Sequence, residues 1–128
     1  MSDENHPELE FSELVNNNEA LIRRGRWLND VFLVEVGEIQ YLVHVAAGRI
    51  ECVETGPFVM PSWTFAIRGS EAMWRRVWKS VPAPGDNDLF ALRKTGEMTI
   101  EGNLKPFMAN LIYVKEVLAM PRLLDDKT

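Results

Sequence analysis

The sequence predicts one α+β domain, with a mostly antiparallel sheet of about five strands and helices packed on one face of that sheet. Three observations support this fold class. Short β-branched segments cluster between residues 31 and 68, apolar residues recur at helical spacing on both sides of that cluster, and the 128-residue chain is long enough for one core without disulfides. We expect residues 1–8 to fray as an acidic tail and residues 9–128 to form the domain.

The first helical segment runs from Leu9 to Trp27. Its apolar residues recur at intervals of three and four, and three consecutive asparagines interrupt them, which predicts two short helices or one bent helix. Asn17 or Asn18 is expected to cap the second part, because an amide oxygen accepts a hydrogen bond from an otherwise unpaired backbone N–H. Gly25 is expected to end it.

Three strands are expected next, over Val31–Val36, Ile39–Ala46 and Arg49–Glu54. Only two residues separate each strand from the next. Such short links join antiparallel neighbours, since parallel neighbours need a crossover of about a dozen residues or more. The spacing therefore predicts an antiparallel meander.

A fourth strand is expected over Ser62–Arg68, as the last strand of this meander. Apolar and polar residues alternate along it, which is typical of a strand with one buried face. Trp63, Phe65 and Ile67 would share that buried face.

Helical patterns dominate the second half of the chain. Ser70 is expected to cap a helix whose buried stripe comprises Met73, Trp74, Val77 and Trp78. A proline-rich segment ends this helix, and Asp86 or Asn87 begins a second short one. The last strand, Glu97–Glu101, is expected to bury Met98 and Ile100. It leads into one long helix that ends near Pro121.

Charge is unevenly distributed along the chain. The net charge is −5, but the first 20 residues carry six acidic and no basic side chains, which leaves 13 acidic and 14 basic side chains in the remainder. A nearly neutral body lacks the basic surface expected of a nucleic-acid-binding protein, so we expect no nucleic-acid partner. No apolar run reaches the roughly 20 residues of a membrane helix, and the N-terminus does not fit a secretory signal. We expect a cytoplasmic protein.

No motif for catalysis or cofactor binding is present. The sequence lacks a Gly-x-Ser-x-Gly elbow, a phosphate loop and a dinucleotide fingerprint, and no spacing of His, Cys and carboxylates fits a metal site. We therefore expect neither an enzyme nor a cofactor or metal. Cys52, the only cysteine, is expected to be a small buried side chain rather than a reactive thiol. His44 is expected to be a structural histidine with a satisfied ring.

Residues 96–103 combine two glycines with alternating apolar residues and lead into a helix with the apolar residues Leu104, Phe107, Met108 and Leu111. Residues 61–70, PSWTFAIRGS, lead a strand into a helix in a similar way. These segments resemble the sterol carrier protein type 2 family, and the order of elements matches that family from about Leu28 to Met120. Residues 82–88 are richer in proline and acid than the family pattern, which predicts a different pocket mouth.

The resemblance implies that sheet and helices enclose an apolar tunnel, which holds a sterol, a fatty acid or an acyl chain without catalysis. The partner is then a hydrophobic small molecule of lipid type. The expected lining residues are Phe65, Ile67, Met73, Trp74, Val77, Phe90, Met98, Ile100, Phe107, Met108 and Leu111. The same side chains would serve equally well as ordinary core, because flexible thioethers and aromatic rings suit either role.

Two other functions stay open. In one, the chain is an accessory or dimerisation module with a filled core, supporting a partner enzyme that acts on apolar substrates. Exposed Trp27, exposed Trp78 or an edge strand Val31–Val36 would then mediate a homodimer. In the other, the chain is a small enzyme with an apolar substrate and a catalytic triad assembled from distant residues.

The helix segment 74–79 combines two tryptophans with three basic residues. The pattern fits an amphipathic helix with a solvated basic side. It also fits weak contact with an anionic membrane surface, since each basic residue near such a surface contributes about 1 kcal/mol. Arg68 or Arg75 is a candidate partner for the head group of a bound lipid.

Overall fold

The computed structural model describes residues 12–78 and 89–119. The side chains of residues 13 and 89–91 are not described. The elements, in chain order, are α1 Ser12–Asn16, α2 Glu19–Arg24, β1 Val31–Val36, β2 Ile39–Ala46, β3 Arg49–Thr55, β4 Phe65–Gly69, α3 Glu71–Val77, α4 Leu89–Thr95, β5 Met98–Gly102, α5 Leu104–Ala109 and α6 Leu111–Ala119. The predicted α+β class with five strands is confirmed.

The five strands form one mixed sheet in the order β3-β2-β1-β4-β5. The neighbours β1–β2, β2–β3 and β4–β5 are antiparallel, but β1 and β4 are parallel, with Phe32 opposite Phe65. The predicted four-strand meander is therefore wrong at β4. The β2–β3 hairpin and the loop after it supply the long crossover that parallel neighbours need. As a consequence Val31–Val36 is a central strand, and the expectation that it forms an edge is also wrong.

Apolar side chains cover both faces of the centre of the sheet. The face toward the helices, called here the helical face, carries the large core cluster, to which Phe65 and Ile67 of β4 belong. The opposite face, called here the outer face, carries a smaller cluster of buried Leu33, Leu42 and Ala66 with partly buried Val31, Phe58 and Trp63. Thus β4 is buried on both faces rather than on one. Trp63 precedes Phe65, the first residue of β4. It therefore does not follow the alternation of that strand, and it lies on the outer face.

Helix starts follow the predicted capping residues. The side-chain oxygen of Asn18 accepts a hydrogen bond from Leu21 N, and that of Ser70 accepts one from Met73 N, each at 3.1 Å. Gly25 ends α2, as expected. The predicted helix start at Asp86 or Asn87 and the end near Pro121 lie outside the described residues.

The expected long final helix is two helices, with Asn110 between them. Its backbone N–H reaches Pro106 O at 3.1 Å, and its side-chain Nδ2 donates to the same oxygen at 3.0 Å. An asparagine amide competes in this way with continued helical bonding. The apolar spacing continues across the break, which is why periodicity alone predicted one helix. In the described ranges, no helix is both long and apolar enough to span a bilayer.

The β2–β3 turn packs closely against α2. Gly48 in this turn has a φ of +84°, and a Cβ there would collide with the backbone oxygen of Ile22. Tyr113 of α6 donates its hydroxyl to Gly48 O at 2.6 Å, so the turn links α2, α6 and the sheet. Only glycine combines this backbone angle with this close approach.

Gly48→Ala should lower the free energy of unfolding by at least about 2 kcal/mol, because both backbone strain and the collision oppose the native structure. Gly96→Ala is a matched control. Gly96 has a similar φ of +86°, but a Cβ there would meet nothing within 4 Å. We expect the control to lose only about 1 kcal/mol in urea unfolding. Equal losses in the two variants would contradict the close approach of the turn to α2.

Candidate functional site

Most of the predicted lining residues lie together in the core cluster on the helical face. Eight of the eleven are buried there, and none of these eight is more than 9% exposed; they are Phe65, Ile67, Met73, Trp74, Val77, Met98, Ile100 and Phe107. Leu111 is partly buried against the cluster, whereas Met108 is 53% exposed. Phe90 belongs to α4, but its side chain lies outside the described residues. A lining role for this set stays a prediction.

Aromatic contacts connect the sheet to the helices through this cluster. The rings of Phe32 and Phe65 stack at a centroid distance of 5.1 Å, and Phe107 meets Phe65 edge-on at 5.5 Å. Such pairs contribute about 0.5–1.5 kcal/mol beyond the area they bury. Phe32 was not among the predicted lining residues, although it shares a strand face with Val34 and Val36, and the charged Glu35 lies on the opposite face.

Polar atoms of the cluster are bonded to the backbone. Trp74 Nε1 donates to Glu35 O and Trp78 Nε1 donates to Leu118 O, both at 2.9 Å. The two rings lie side by side at 5.2 Å and both are buried. The predicted buried stripe is therefore confirmed for Trp78, and the alternative in which Trp78 is exposed at a dimer surface is wrong. Its indole N–H finds a buried acceptor, which removes the cost of taking it out of water.

The charged side of α3 is paired with acidic side chains. Arg75 Nη2 lies 3.1 Å from Glu71 Oε2, one helical turn away, and Arg76 bonds to Glu97, the residue directly before β5. The hydrogen bond from Arg76 lowers the pKa of Glu97 below its usual value. With both tryptophans inward, this helix shows the amphipathic pattern with a solvated basic side. Contact of this helix with a membrane stays a prediction.

Arg68 lies on the outer face in a polar cluster. Its Nη1 is 2.6 Å from Glu35 Oε1 and its Nε is 3.3 Å from Glu101 Oε1. Its guanidinium also lies over the ring of Trp63, 5.7 Å from the centroid. The expected head-group role of Arg68 would require a ligand on this face, away from the core cluster.

A groove of about 470 Å³, called here the outer groove, lies beside the break between α5 and α6, on the solvent side of the helices and not on the outer face of the sheet. It is lined by Arg24, Met108, Ala109, Asn110, Leu111, Ile112 and Tyr113. Its volume falls in the range of about 300–1,000 Å³ that is typical of small-molecule sites. Met108 and Ile112 are 53% and 60% exposed, so the groove opens on the outer side of the helices. Two predicted residues, Met108 and Leu111, thus line a space that the sequence did not indicate.

Arg24 supplies the charge of this groove. Its Nη1 lies 2.8 Å from Glu116 Oε2, across the gap between α2 and α6. Both side chains are about half exposed, so water weakens their attraction. The sequence does not single out Arg24 as a groove residue, because the approach of α6 to α2 depends on tertiary packing.

His44 and Cys52 are cross-strand neighbours on β2 and β3. His44 Nε2 lies 2.8 Å from Glu54 Oε1, which confirms a satisfied structural histidine. Cys52 is exposed, so the expectation of a buried thiol is wrong. The reason is that β3 is an edge strand and Cys52 lies on its outer face. In the described part of the chain, no group of three or more His, Cys, Asp and Glu side chains is arranged to hold a metal ion.

Comparison with solved structures identifies the fold. No family model matches the sequence, and no curated protein matches it. A crystal structure of sterol carrier protein 2 aligns with a TM-score of 0.73 at 12% identity, covering 92% of this chain and 95% of that chain. The UbiJ-SCP2 ubiquinone synthesis protein aligns with a TM-score of 0.57 at 16% identity, covering 87% and 90%.

A third structure, sterol carrier protein 2 from Yarrowia lipolytica in its apo form, aligns with a TM-score of 0.56 at 11% identity, covering 89% of this chain and 88% of that chain. At these identities the likeness shows the fold. The resemblance to sterol carrier protein type 2 that the sequence indicated is confirmed at that level.

Tyr113 provides a pH test of the packing beside the groove. Burial raises the pKa of its hydroxyl well above the usual value. Above about pH 10 the unfolded chain releases this proton while the folded protein retains it, so this group lowers stability by about 1.4 kcal/mol per pH unit. Tyr113→Phe removes that contribution. The stability advantage of the original protein in urea unfolding should therefore shrink between about pH 9 and pH 11; a constant difference would contradict the burial of the hydroxyl.

Proposed function

We propose that this chain, which has the fold of sterol carrier protein 2, binds a lipid-like ligand such as a sterol, a fatty acid or an acyl chain between its sheet and its helices. The observation that carries the proposal is the likeness in fold over 92% of the chain to a protein whose name states that it carries sterols. The ligand would lie against the core cluster of the helical face.

The chemistry of that cluster supports an apolar ligand. Met73 and Met98 contribute flexible thioethers, which adapt to ligands of different shape. The indole N–H groups of Trp74 and Trp78 already donate to backbone oxygens. Binding would therefore rest on apolar contact, and each methylene taken out of water contributes about 0.8 kcal/mol. A long acyl chain needs no strong polar anchor under these conditions.

The proposal assigns no catalysis and no cofactor to the chain, and it places the carrier in the cytoplasm. The lining residues act by excluding water from the ligand rather than by transferring protons or electrons. Catalysis of a reaction on a bound lipid would count against this part of the proposal.

A second function is favoured by one specific observation. The fold is also that of the UbiJ-SCP2 ubiquinone synthesis protein, whose name places it in a biosynthetic process. On this alternative the chain is an accessory module for an enzyme with apolar substrates. Trp27, which is 76% exposed with the Arg26 guanidinium 5.3 Å from its ring centroid, would then contribute to a protein contact.

Binding is tested by displacement of a fluorescent fatty acid from the purified protein and by native mass spectrometry of extracted lipid. We expect saturable binding at micromolar concentration. A photoactivatable fatty acid then locates the ligand, with adducts expected in β4, β5, α3 and the Phe107 region. Adducts confined to Met108 and Ile112 would place the ligand in the outer groove instead, and an absence of binding would overturn the proposal.

Ile100→Trp should weaken ligand binding by at least about tenfold, because the larger side chain fills space on β5 at the border of the cluster. Ile100→Leu keeps the side-chain volume and should bind normally. Ile112→Glu, which places a charge in the outer groove, should also bind normally if the ligand lies between sheet and helices. Circular dichroism checks that each variant is folded. Weakening by Ile112→Glu alone would contradict the proposed position.

The accessory alternative is tested by sedimentation over a range of concentrations. A homodimer that dissociates on Trp27→Ser substitution, in a protein that binds no lipid, would favour the accessory function. A monomer that binds the fluorescent fatty acid would exclude it.

A further inference from the structure

The loop between β3 and β4, residues 56–64, presents two large apolar side chains to solvent. Val59 is 93% exposed and Met60 is 91% exposed, and they are adjacent in the chain. Scattered exposed apolar residues are normal on protein surfaces. Two adjacent side chains that are almost completely exposed at a loop tip are a different case. Nearly all of their apolar surface is in contact with water, which is unfavourable unless a partner covers it.

Backbone hydrogen bonds hold both ends of this loop. At the first end, Gly56 N donates to Gln40 O at 2.8 Å. At the other end, Thr64 N donates to Val31 O at 2.7 Å. The tip of the loop, Val59 and Met60, therefore lies between two positions at which the loop is hydrogen-bonded to the sheet.

Two aromatic side chains flank the tip and anchor the loop on the outer face. Phe58, directly before Val59, packs on the buried residues of that face, and so does Trp63. The aromatic residues of the loop thus turn toward the protein, whereas the two aliphatic residues between them turn away from it. The exposure of Val59 and Met60 is a property of an anchored loop.

Met60 adopts a backbone conformation that side chains other than glycine, asparagine and aspartate rarely take. Its φ is +51°, in the left-handed region. Strain of this kind persists where the surrounding structure enforces it, and it concentrates at functional positions. Here the strained residue is one of the two whose side chains face solvent.

The tip also lacks charge over an unusual length. Between Glu54 and Arg68 the chain contains no charged residue. Pro57 and Pro61 flank the tip and have no backbone N–H, so two donors that would lose their water partners in a hydrocarbon environment are missing. We propose that Val59 and Met60 insert between the head groups of a lipid bilayer, to the apolar boundary of the acyl chains, and hold the protein there transiently.

A bilayer fits this tip better than a protein pocket does. Specific protein contacts are centred on tryptophan, tyrosine and arginine, with polar partners that set orientation. The tip offers a valine and a methionine without a hydrogen-bonding side chain, which suits a partner that requires no precise register. The inference rests on the proposed function in one respect: a carrier of a lipid-like ligand must collect and deliver that ligand at a lipid phase.

The test is flotation of the full chain with phosphatidylcholine vesicles, which carry no net charge. We expect binding that survives high salt, because the contact is apolar. The double substitution Val59→Thr with Met60→Asn should reduce the partition coefficient by at least about tenfold. Threonine keeps the shape of valine, and asparagine tolerates a positive φ, so this variant should fold at least as well as the original protein.

A matched control changes two other exposed apolar residues. Met108→Gln with Ile112→Thr removes side chains that are 53% and 60% exposed beside the outer groove and should leave vesicle binding unchanged. To measure whether the tip enters the bilayer, an environment-sensitive fluorophore is attached to Met60→Cys in a Cys52→Ser background. The same label on Ile112→Cys is the comparison. Emission should shift to the blue on vesicle addition only for the label at position 60.

The results separate this inference from the proposed function. Unchanged flotation of the Val59→Thr, Met60→Asn variant, a label at position 60 that stays in water, or binding that requires anionic lipid would each overturn the insertion. A dimer that this variant converts to a monomer would also overturn it, since a second copy would then cover the tip. Fatty-acid displacement by the same variant should stay normal. Vesicle insertion without fatty-acid binding would sustain the inference while the carrier function fails.

Discussion

The parallel pairing of β1 with β4 is the constraint on which the rest of the structure depends. It places Phe65 against Phe32, and through Phe65 it brings Phe107 of α5 onto the helical face. Without this pairing β1 would be an edge strand, and the antiparallel pair β4–β5 would have no place in the sheet. The pairing also forces the chain to cross the outer face between β3 and β4, which is why the apolar loop with Val59 and Met60 lies there.

Backbone carbonyl oxygens join the helices to this sheet. The indole of Trp74 bonds to β1 at Glu35 O, and the hydroxyl of Tyr113 bonds to the β2–β3 turn at Gly48 O. Large side chains with one polar atom can be buried only when that atom finds a partner. These bonds therefore orient α3 and α6, and they leave the surface between sheet and helices predominantly apolar. Such a surface suits a ligand held by contact area rather than by polar recognition.

Sequence patterns predicted part of the candidate site for a clear reason. Alternation identified Phe65 and Ile67 as neighbours on one face, and helical spacing identified Met73 as buried, because both periods follow from local backbone geometry. Met108 was grouped with them by the same spacing, yet Asn110 ends the helix after six residues and Met108 lines the outer groove. Periodicity describes direction around a helix axis, but it contains no information on where the axis bends.

What the sequence by itself determined were features that depend on residues close together in the chain. The strand and hairpin segments, the caps at Asn18 and Ser70, and the α+β class all follow from spacing and turn chemistry within a few residues. Tertiary structure alone decided which strand β4 joins and that Cys52 is exposed at an edge. These depend on contacts between segments distant in sequence, whose energies are summed over the whole core and are not encoded at any one position.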